Sequence, residues 1–456
     1  MNDNRELKKF IFKDNKVLKG SVYLKKNQGK SIDRDNYMLE HMQDNLAFKE
    51  KLLKNNKCDS KRLLAEFQKE YKSYRFKWNS QPQNCIDKKF LGQELENENI
   101  NPLCIDIEIA AICDLACPFC FREFLVTPDK IIEDKLCYDL IDQAAEMKVP
   151  SIKFNWRGEP LLNSKIFEYI KYAKKKGILE TIINTNATNL TEKNSEKLIK
   201  AGLDLIIYSF DGGTKETYEK MRPGRFKQNS FDKVYANIKN FKKVRDKLNS
   251  KLPFTKIQMI LTKDTINEVD NFFNIFENIV DDVSLNQYTE RGGEISDLNE
   301  SEQSKYKNLL RKHNLPSNTP YMKDIYGNLS ISKGRVPCKQ PYQRLLITYE
   351  GKVAMCCYDW GATHTVGYSS AEAFNNEKDY TKIVENVKNN KKGFELLKNV
   401  KMAKCHNLPT KKVEKLNKIW NGKEIDKVRQ KHIEGKSQDL SICAKCSFKD
   451  VYNWAK

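Results

Sequence analysis

Long apolar runs are missing from this sequence. No stretch approaches the roughly 20 apolar residues that a membrane-spanning helix needs, and the opening residues lack the basic-then-apolar pattern of a secretory signal. We therefore expect a cytoplasmic protein with no membrane partner. Repeats of solenoid length and low-complexity tracts are also missing. Since 39% of the residues are hydrophobic, the chain is too apolar for a disordered protein.

Histidine is scarce and cysteine is abundant, with five His and 13 Cys among 456 residues. Because cytoplasmic thiols stay reduced, these cysteines predict metal ligands or reactive thiols and not a disulfide framework. Lys and Arg total 81 against 61 acidic residues, a net charge of +20. We attribute this excess to solvated surfaces, because it is spread along the chain, and keep an anionic substrate as the alternative. A nucleic-acid partner is not favoured, because no known binding signature occurs.

Three segments of the chain differ in pattern. Residues 1–100 are polar with Leu and Phe at helical intervals, which predicts a mainly helical N-terminal extension that either docks on the next domain or recruits substrate. Residues 101–300 alternate short apolar runs with amphipathic helices, which predicts parallel βα units. Residues 301–456 lose this rhythm and contain a predicted hairpin, Tyr342–Tyr349 with Lys352–Tyr358, before a Lys-rich and mostly helical stretch.

Six apolar runs in the middle segment are predicted strands, with helical patterns between them. The strands are Leu103–Ile109, Ser151–Phe154, Glu180–Ile183, Leu203–Phe210, Lys256–Leu261 and Val283–Leu285, and the helices cover about 130–147, 163–177, 191–201, 230–248 and 266–280. Six such units in succession predict either a barrel-like or a doubly wound sheet. In both architectures the chemistry collects at the carboxyl ends of the strands.

Three cysteines follow the first predicted strand, at Cys113, Cys117 and Cys120. A short loop with this spacing can turn three thiolates toward one metal centre. An iron–sulfur cube takes four ligands, so three cysteines would leave one iron open to a non-protein ligand. A zinc site would close with a fourth Cys or His, and none lies nearby in the sequence.

This motif, placed behind the first strand of a six-unit βα segment, resembles the radical S-adenosylmethionine (SAM) superfamily over about residues 101–300. The resemblance implies an α/β fold, a partial (βα)6 TIM-like barrel, in which Cys113, Cys117 and Cys120 hold a 4Fe–4S cluster. The open iron of that cluster would chelate SAM. One electron, from a reductant such as flavodoxin or ferredoxin, would then cleave SAM to methionine and a 5′-deoxyadenosyl radical that abstracts hydrogen from a substrate.

Other strand ends are similar to SAM-binding stretches of the same family. Phe119, which precedes the third cysteine, is expected beside the adenine. The segment after the second strand resembles the family's Gly-Gly-Glu-Pro motif, with Arg157 in place of the first glycine. It is expected to place Gly158 and Glu159 at the SAM amino group. The third and fourth strands end in stretches expected to meet the ribose and carboxylate of SAM, and the candidate residues there are Asn184, Asn186, Ser209 and Asp211.

Four cysteines of the C-terminal segment form a second set, Cys338, Cys356, Cys443 and Cys446. Four thiolates close a zinc site and an iron–sulfur cluster equally well, and the last two form a Cys-x-x-Cys pair that could be redox active. The first two, with Gly351 between them, resemble the opening of SPASM domains, which carry auxiliary 4Fe–4S clusters. A set of only four resembles the shortened, single-cluster form called twitch, seen in an aminocyclitol alcohol dehydrogenase. The resemblance therefore implies a second, auxiliary 4Fe–4S cluster.

Two cluster sites together predict oxidation chemistry. A substrate radical beside an auxiliary cluster can pass on its extra electron, which converts an alcohol to a ketone if a base also takes a proton. Glu290 and Arg291 follow the sixth strand as a candidate base and a candidate anion anchor. We expect a radical SAM enzyme acting on a sugar-like or carrier-linked small molecule. The alternatives are an enzyme that modifies a ribosomally made peptide and a metal-stabilised binding protein without catalysis.

Overall fold

The computed structural model describes residues 33–54, 59–90, 100–120, 129–262, 264–287, 321–323, 329–331, 337–362, 364–374, 413–444 and 446. Among these residues, no helix combines the length and the apolar character required to cross a bilayer.

Six strands in chain order form a parallel sheet. They are β1 (Cys104–Ile107), β2 (Ser151–Lys153), β3 (Glu180–Thr185), β4 (Leu205–Ser209), β5 (Phe254–Leu261) and β6 (Asp282–Gln287). Each strand pairs in parallel with the next. Among the described strands, β6 is at one edge of the sheet and β1 pairs on its other side with a later strand, so these strands form an open sheet. The partial barrel predicted from the sequence is confirmed.

In the part of the chain before the sheet that the structure describes, there are three α-helices, α1 (Arg34–Glu40), α2 (Leu46–Lys54) and α3 (Ser60–Phe90). This confirms the mainly helical N-terminal extension. Apolar side chains of these helices, such as Phe67 and Tyr71, share a buried cluster with Leu179, Leu205 and Phe254. Those three residues lie at the amino ends of β3, β4 and β5, opposite the edge that carries the cysteine loop. The extension thus packs against the amino edge of the sheet.

The helices that follow the strands are α4 (Asp134–Glu146), α5 (Ile166–Lys175), α6 (Glu192–Ala201), α7 (Lys215–Met221), α8 (Phe231–Lys247) and α9 (Val269–Phe276). Five of them overlap the helical patterns of the sequence, and α7 is the one that the sequence did not indicate. Between these helices and the sheet lies the main core, to which Ile105, Ile152, Ile183, Ile206 and Ile257 contribute fully buried side chains. Such apolar strands are typical of parallel sheets that helices cover.

The C-terminal segment extends the same sheet. After an antiparallel pair, β7 (Tyr321–Lys323) and β8 (Leu329–Ile331), the predicted hairpin is formed by β9 (Arg344–Ile347) and β10 (Lys352–Ala354), and β11 (Thr365–Tyr368) adds to it. Strand β9 pairs in parallel with β1, which gives a nine-stranded sheet. Helices α10 (Leu416–Trp420), α11 (Lys423–Ile433) and α12 (Ser441–Ala444) follow.

Candidate active site and auxiliary metal centre

The three cysteines of the first motif lie in the loop after β1, at the carboxyl edge of the sheet. The carboxylate of Asp114 fixes this loop from one side, because it accepts hydrogen bonds from Nδ2 of Asn186 at 2.8 Å and from the hydroxyl of Thr188 at 2.6 Å. From the other side, the backbone N–H of Ala116 donates to the carbonyl of Pro223 at 2.9 Å. The end of β3 and the turn after α7 therefore hold the cysteine loop between them.

The thiols of this loop are shielded from water. Cys117 is buried, and Cys113 and Cys120 are partly buried. Burial raises the pKa of Cys117 to about 12, and it raises the pKa of Cys113 well above the ordinary thiol value. Thiolates in such a place need a positive centre nearby, and soft sulfur donors suit iron–sulfur clusters. The donor set thus fits a 4Fe–4S cluster.

The sequence alone did not single out Arg222, a buried cation beside the cysteine loop. Its guanidinium lies 2.6 Å from the carboxylate of Asp211 and 5.8 Å from the centre of the Phe119 ring. Its charge acts on Cys117, where it opposes the rise in thiol pKa that burial causes. Asp211 also accepts the backbone N–H of Ile260 at 2.6 Å, so this carboxylate is engaged in holding Arg222 in place. The available signal was an arginine before Pro-Gly, but the short helix α7 that directly precedes Arg222 was not indicated either.

Glu159 is buried between two strand ends. Its carboxylate accepts hydrogen bonds from the hydroxyl of Thr185 at 2.7 Å and from the backbone N–H groups of Asn186 at 2.7 Å and Leu161 at 3.0 Å. Burial raises the pKa of Glu159 to about 7, against the opposite effect of these hydrogen bonds. The side chain therefore fastens the loop after β2 to the end of β3, beside the cysteine loop.

Asn184 offers a free acceptor at the same edge. Its backbone N–H donates to the side-chain oxygen of Asn155 at 2.9 Å. Its own side-chain oxygen is buried and has no hydrogen-bond partner among the described residues. A buried polar atom without a partner costs free energy, so this position fits a ligand that brings a donor.

All but two of the candidate residues of the middle segment lie at one edge of the sheet. Cys113, Cys117, Cys120, Phe119, Gly158, Glu159, Asn184, Asn186, Ser209 and Asp211 all lie at or just beyond the carboxyl ends of β1 to β4. Glu290 and Arg291 lie outside the described residues, so the structure says nothing of their position.

Arg157, at the motif position where a glycine was expected, joins the barrel to the C-terminal segment. Its guanidinium makes two hydrogen bonds to the carboxylate of Glu108, at 2.7 and 2.9 Å, and a third to the carbonyl of Trp360 at 3.0 Å. Glu108 also accepts the backbone N–H of Tyr349 at 3.2 Å. Both charged groups are buried, so this ion pair is a buried link between the two segments.

Trp156 and Trp360, which we call the tryptophan pair, lie between the two cysteine regions. Their rings meet edge to face with centroids 6.5 Å apart, and the indole N–H of Trp156 donates to the carbonyl of Cys357 at 2.9 Å. Cys120 and Cys357 both pack against the hydrophobic cluster that contains this pair. The first cysteine loop and the turn after Cys356 therefore contact the same hydrophobic cluster.

In the second set, Cys356 lies near Cys443 and Cys446 although they are far apart in sequence. Cys338, Cys356, Cys443 and Cys446 are all buried. Burial is the main cause that raises the pKa of Cys356, and the neighbouring thiols of Cys357, Cys443 and Cys446 add to it. Within the described residues, no three His, Cys, Asp or Glu side chains converge closely enough to hold a single metal ion. Four soft thiol donors in a buried site fit an auxiliary iron–sulfur cluster.

The chain is similar in sequence to proteins of known activity. Over 182 residues the chain is 24% identical to the mycofactocin maturase MftC of Mycolicibacterium smegmatis, covering 40% of this chain and 43% of that one. Over 136 residues it is 31% identical to an AdoMet-dependent heme synthase of Oleidesulfovibrio alaskensis, covering 29% and 34%. The chain thus spans less than half the length of these curated relatives.

Two solved structures are also similar. One is SuiB of Streptococcus suis bound to the precursor peptide SuiA, with 15% identity, a TM-score of 0.45 and coverage of 86% of this chain and 76% of that one. The other is BtrN in complex with AdoMet and 2-DOIA, with 15% identity, a TM-score of 0.40 and coverage of 76% and 92%.

Two family profiles match the chain in the order that the cysteine sets predict. The radical SAM superfamily profile matches residues 107–274, and that of the SPASM iron–sulfur cluster-binding domain matches residues 338–447. These domains imply 4Fe–4S clusters and SAM as cofactors, as expected from the sequence. The chain therefore carries a radical SAM domain followed by a C-terminal SPASM domain.

Proposed function

We propose that this enzyme oxidises an alcohol carbon of a sugar-like or carrier-linked small molecule to a ketone, with an auxiliary cluster as the electron acceptor. The observation that carries this proposal is that Cys120 and Cys357 pack against one hydrophobic cluster, which contains the tryptophan pair. A substrate held at the carboxyl edge of the barrel would therefore lie near both cluster sites. The four-cysteine auxiliary set, which resembles the twitch form, supports a small-molecule alcohol as the substrate.

The residues of this chain would bind and orient the reactants. The first cysteine set would hold the cluster that, with SAM, supplies hydrogen-atom abstraction. Arg222 would offer a cation, and Asn184 an acceptor, to the polar groups of SAM. Glu290 is proposed as the base that takes the alcohol proton, and Arg291 as the anchor for an anionic group. We place the reaction in the cytoplasm, with a flavodoxin or ferredoxin as the electron donor.

A second candidate substrate is a ribosomally made peptide. Many SPASM proteins modify such peptides, and one relative of this chain is named a maturase. The two candidates differ in their products. An oxidised alcohol is lighter by two hydrogens and carries a carbonyl group. A modified peptide would instead derive from a precursor peptide that is encoded near the gene of the enzyme.

The test separates SAM cleavage from substrate oxidation. The double variant Cys338→Ala/Cys356→Ala should bind about four irons in place of about eight. With dithionite as reductant, it should still form 5′-deoxyadenosine from SAM. It should yield no ketone from a sugar alcohol that the unmodified enzyme oxidises. Cys113→Ala should lose both reactions.

Cys137→Ala is the matched control, because Cys137 is a fully buried thiol in α4 that belongs to neither set. It should keep both the irons and the ketone. Four irons with one zinc in the unmodified enzyme, or full ketone formation by the double variant, would overturn the proposal.

A further inference from the structure

His432 lies between two cysteines of the auxiliary set. It is on α11, and its side chain is buried, with 2% of its surface exposed. One ring nitrogen, Nδ1, accepts the backbone N–H of Cys338 at 3.4 Å, and the other, Nε2, lies 3.4 Å from Sγ of Cys443. A single imidazole therefore contacts two of the four cysteines.

These two contacts decide which nitrogen carries the proton. A backbone N–H can only donate, so Nδ1 must present its lone pair to Cys338. The neutral imidazole then carries its proton on Nε2, because each tautomer has one donor and one acceptor nitrogen. The N–H of that nitrogen is directed at the sulfur of Cys443, which accepts hydrogen bonds as a thiolate.

Helix α11 is fixed in the position that this geometry needs. Arg429, one turn before His432 on the same buried face, donates to the carbonyls of Pro341 at 3.1 Å and of Trp420 at 2.9 Å. Its guanidinium also lies 4.3 Å from the centre of the Trp420 ring. Since Pro341 follows Cys338 in the next short turn, Arg429 ties α11 to the segment that carries the first auxiliary cysteine.

We propose that His432 is a positioning residue of the auxiliary centre. Its Nε2–H donates to the Cys443 thiolate when that thiolate ligates a cluster, which orients the ligand and raises the reduction potential of the cluster. Hydrogen bonds to cluster sulfurs favour the reduced, more negative state. An auxiliary cluster that is easier to reduce is a better electron acceptor for the oxidation proposed above. Only this benefit to the oxidation rests on the proposed function.

The test uses the full chain with Cys113, Cys117 and Cys120 replaced by Ala, so that only the auxiliary cluster is reduced in an anaerobic redox titration followed by EPR. His432→Leu in this background removes the N–H. The ratio of reduced to oxidised cluster at the original midpoint should fall about tenfold, equivalent to about 59 mV for a one-electron couple. His432→Gln should recover most of this loss, because a glutamine amide can donate to the same sulfur. His41→Leu, at the end of α1, is the matched control and should leave the midpoint unchanged.

Pulsed EPR gives a second readout, in which the main signal comes from protein with His432 intact. In protein labelled with isotopic nitrogen in its histidine rings, the reduced auxiliary cluster should show one weak nitrogen coupling that His432→Gln removes. No coupling, or a strong coupling from nitrogen bound directly to iron, would overturn the inference. So would a fully iron-loaded His432→Leu variant with an unchanged midpoint. If the background binds no iron, this inference and the proposed function both fail, whereas four irons with no effect of His432 defeat the inference alone.

Discussion

Gly158 illustrates what a single residue contributes to this site. Its φ is +67°, and a Cβ there would lie 2.4 Å from the carbonyl oxygen of Ala110 and 2.5 Å from that of Ile112. Only glycine tolerates both the backbone conformation and this approach. The loop after β2 can therefore lie directly against the backbone that leads into Cys113. The resemblance to the Gly-Gly-Glu-Pro motif predicted the position, but not the carbonyl groups that require it.

Gly158→Ala should displace this loop and weaken SAM binding at least tenfold, about 1.4 kcal/mol. Gly177→Ala is the matched control, because Gly177 also has a positive φ, +93°, but a Cβ there would meet nothing within 4 Å. The control should cost about 1–2 kcal/mol of stability from its backbone conformation alone and should leave SAM affinity unchanged. Calorimetric titration with SAM and urea unfolding measure the two quantities. SAM binding by Gly158→Ala at the unmodified affinity would contradict the prediction.

At the scale of elements, polar contacts dock the N-terminal helices on the sheet. Arg34 pairs with Glu180, at the start of β3, at 2.7 Å. Asn45, directly before α2, is fully buried and donates to the carbonyl of Leu179 and to the carboxylate of Asp204, both at 2.8 Å. Its side-chain oxygen accepts the N–H of Ala47 at 3.0 Å, which caps α2. Helical periodicity predicted these helices, but the partners of Asn45 are distant in sequence and no local pattern indicates them.

Asn45→Ala should lower the free energy of unfolding by about 2–4 kcal/mol, because it removes a helix cap and leaves buried groups without a partner. Asp33→Ala is the control. Asp33 caps α1 from an exposed position, so its loss should cost about 1 kcal/mol or less. Both variants should cleave SAM normally below their unfolding transitions, since these helices pack at the amino edge of the sheet. Urea unfolding tests the prediction, and equal costs for the two variants would refute it.

At the scale of the whole molecule, one sheet runs through both matched domains. Strand β9 of the C-terminal segment pairs with β1 of the barrel, and the ion pair of Arg157 with Glu108 closes the same junction. The sequence predicted the hairpin that contains β9 but not its attachment to β1. Pairing between strands that are remote in sequence depends on which sheet edge is free in the folded protein. A local sequence pattern does not indicate this.

Arg157→Met should lower the free energy of unfolding by about 3–5 kcal/mol, because it leaves the buried carboxylate of Glu108 without its counter-charge. Adding Glu108→Gln should recover much of this loss, since glutamine is uncharged and can still accept the N–H of Tyr349. Arg62→Ala removes an exposed helical pair with Glu66 and should cost about 0.5 kcal/mol or less. Urea unfolding of the four proteins measures these differences. A double variant no more stable than Arg157→Met would show that the buried charge is not the cause.

The sequence by itself determined most of the helices and strands and the cofactor chemistry of this protein. Cysteine spacing is a property of short loops, and the alternation of strand and helix is a property of local periodicity, so both can be read along the chain. Only the tertiary structure decided which distant groups meet: Arg222 beside Cys117, Arg157 with Glu108, and His432 between Cys338 and Cys443. Each of these contacts joins segments that are separate in the sequence, and only the packing of the sheet and helices brings them together.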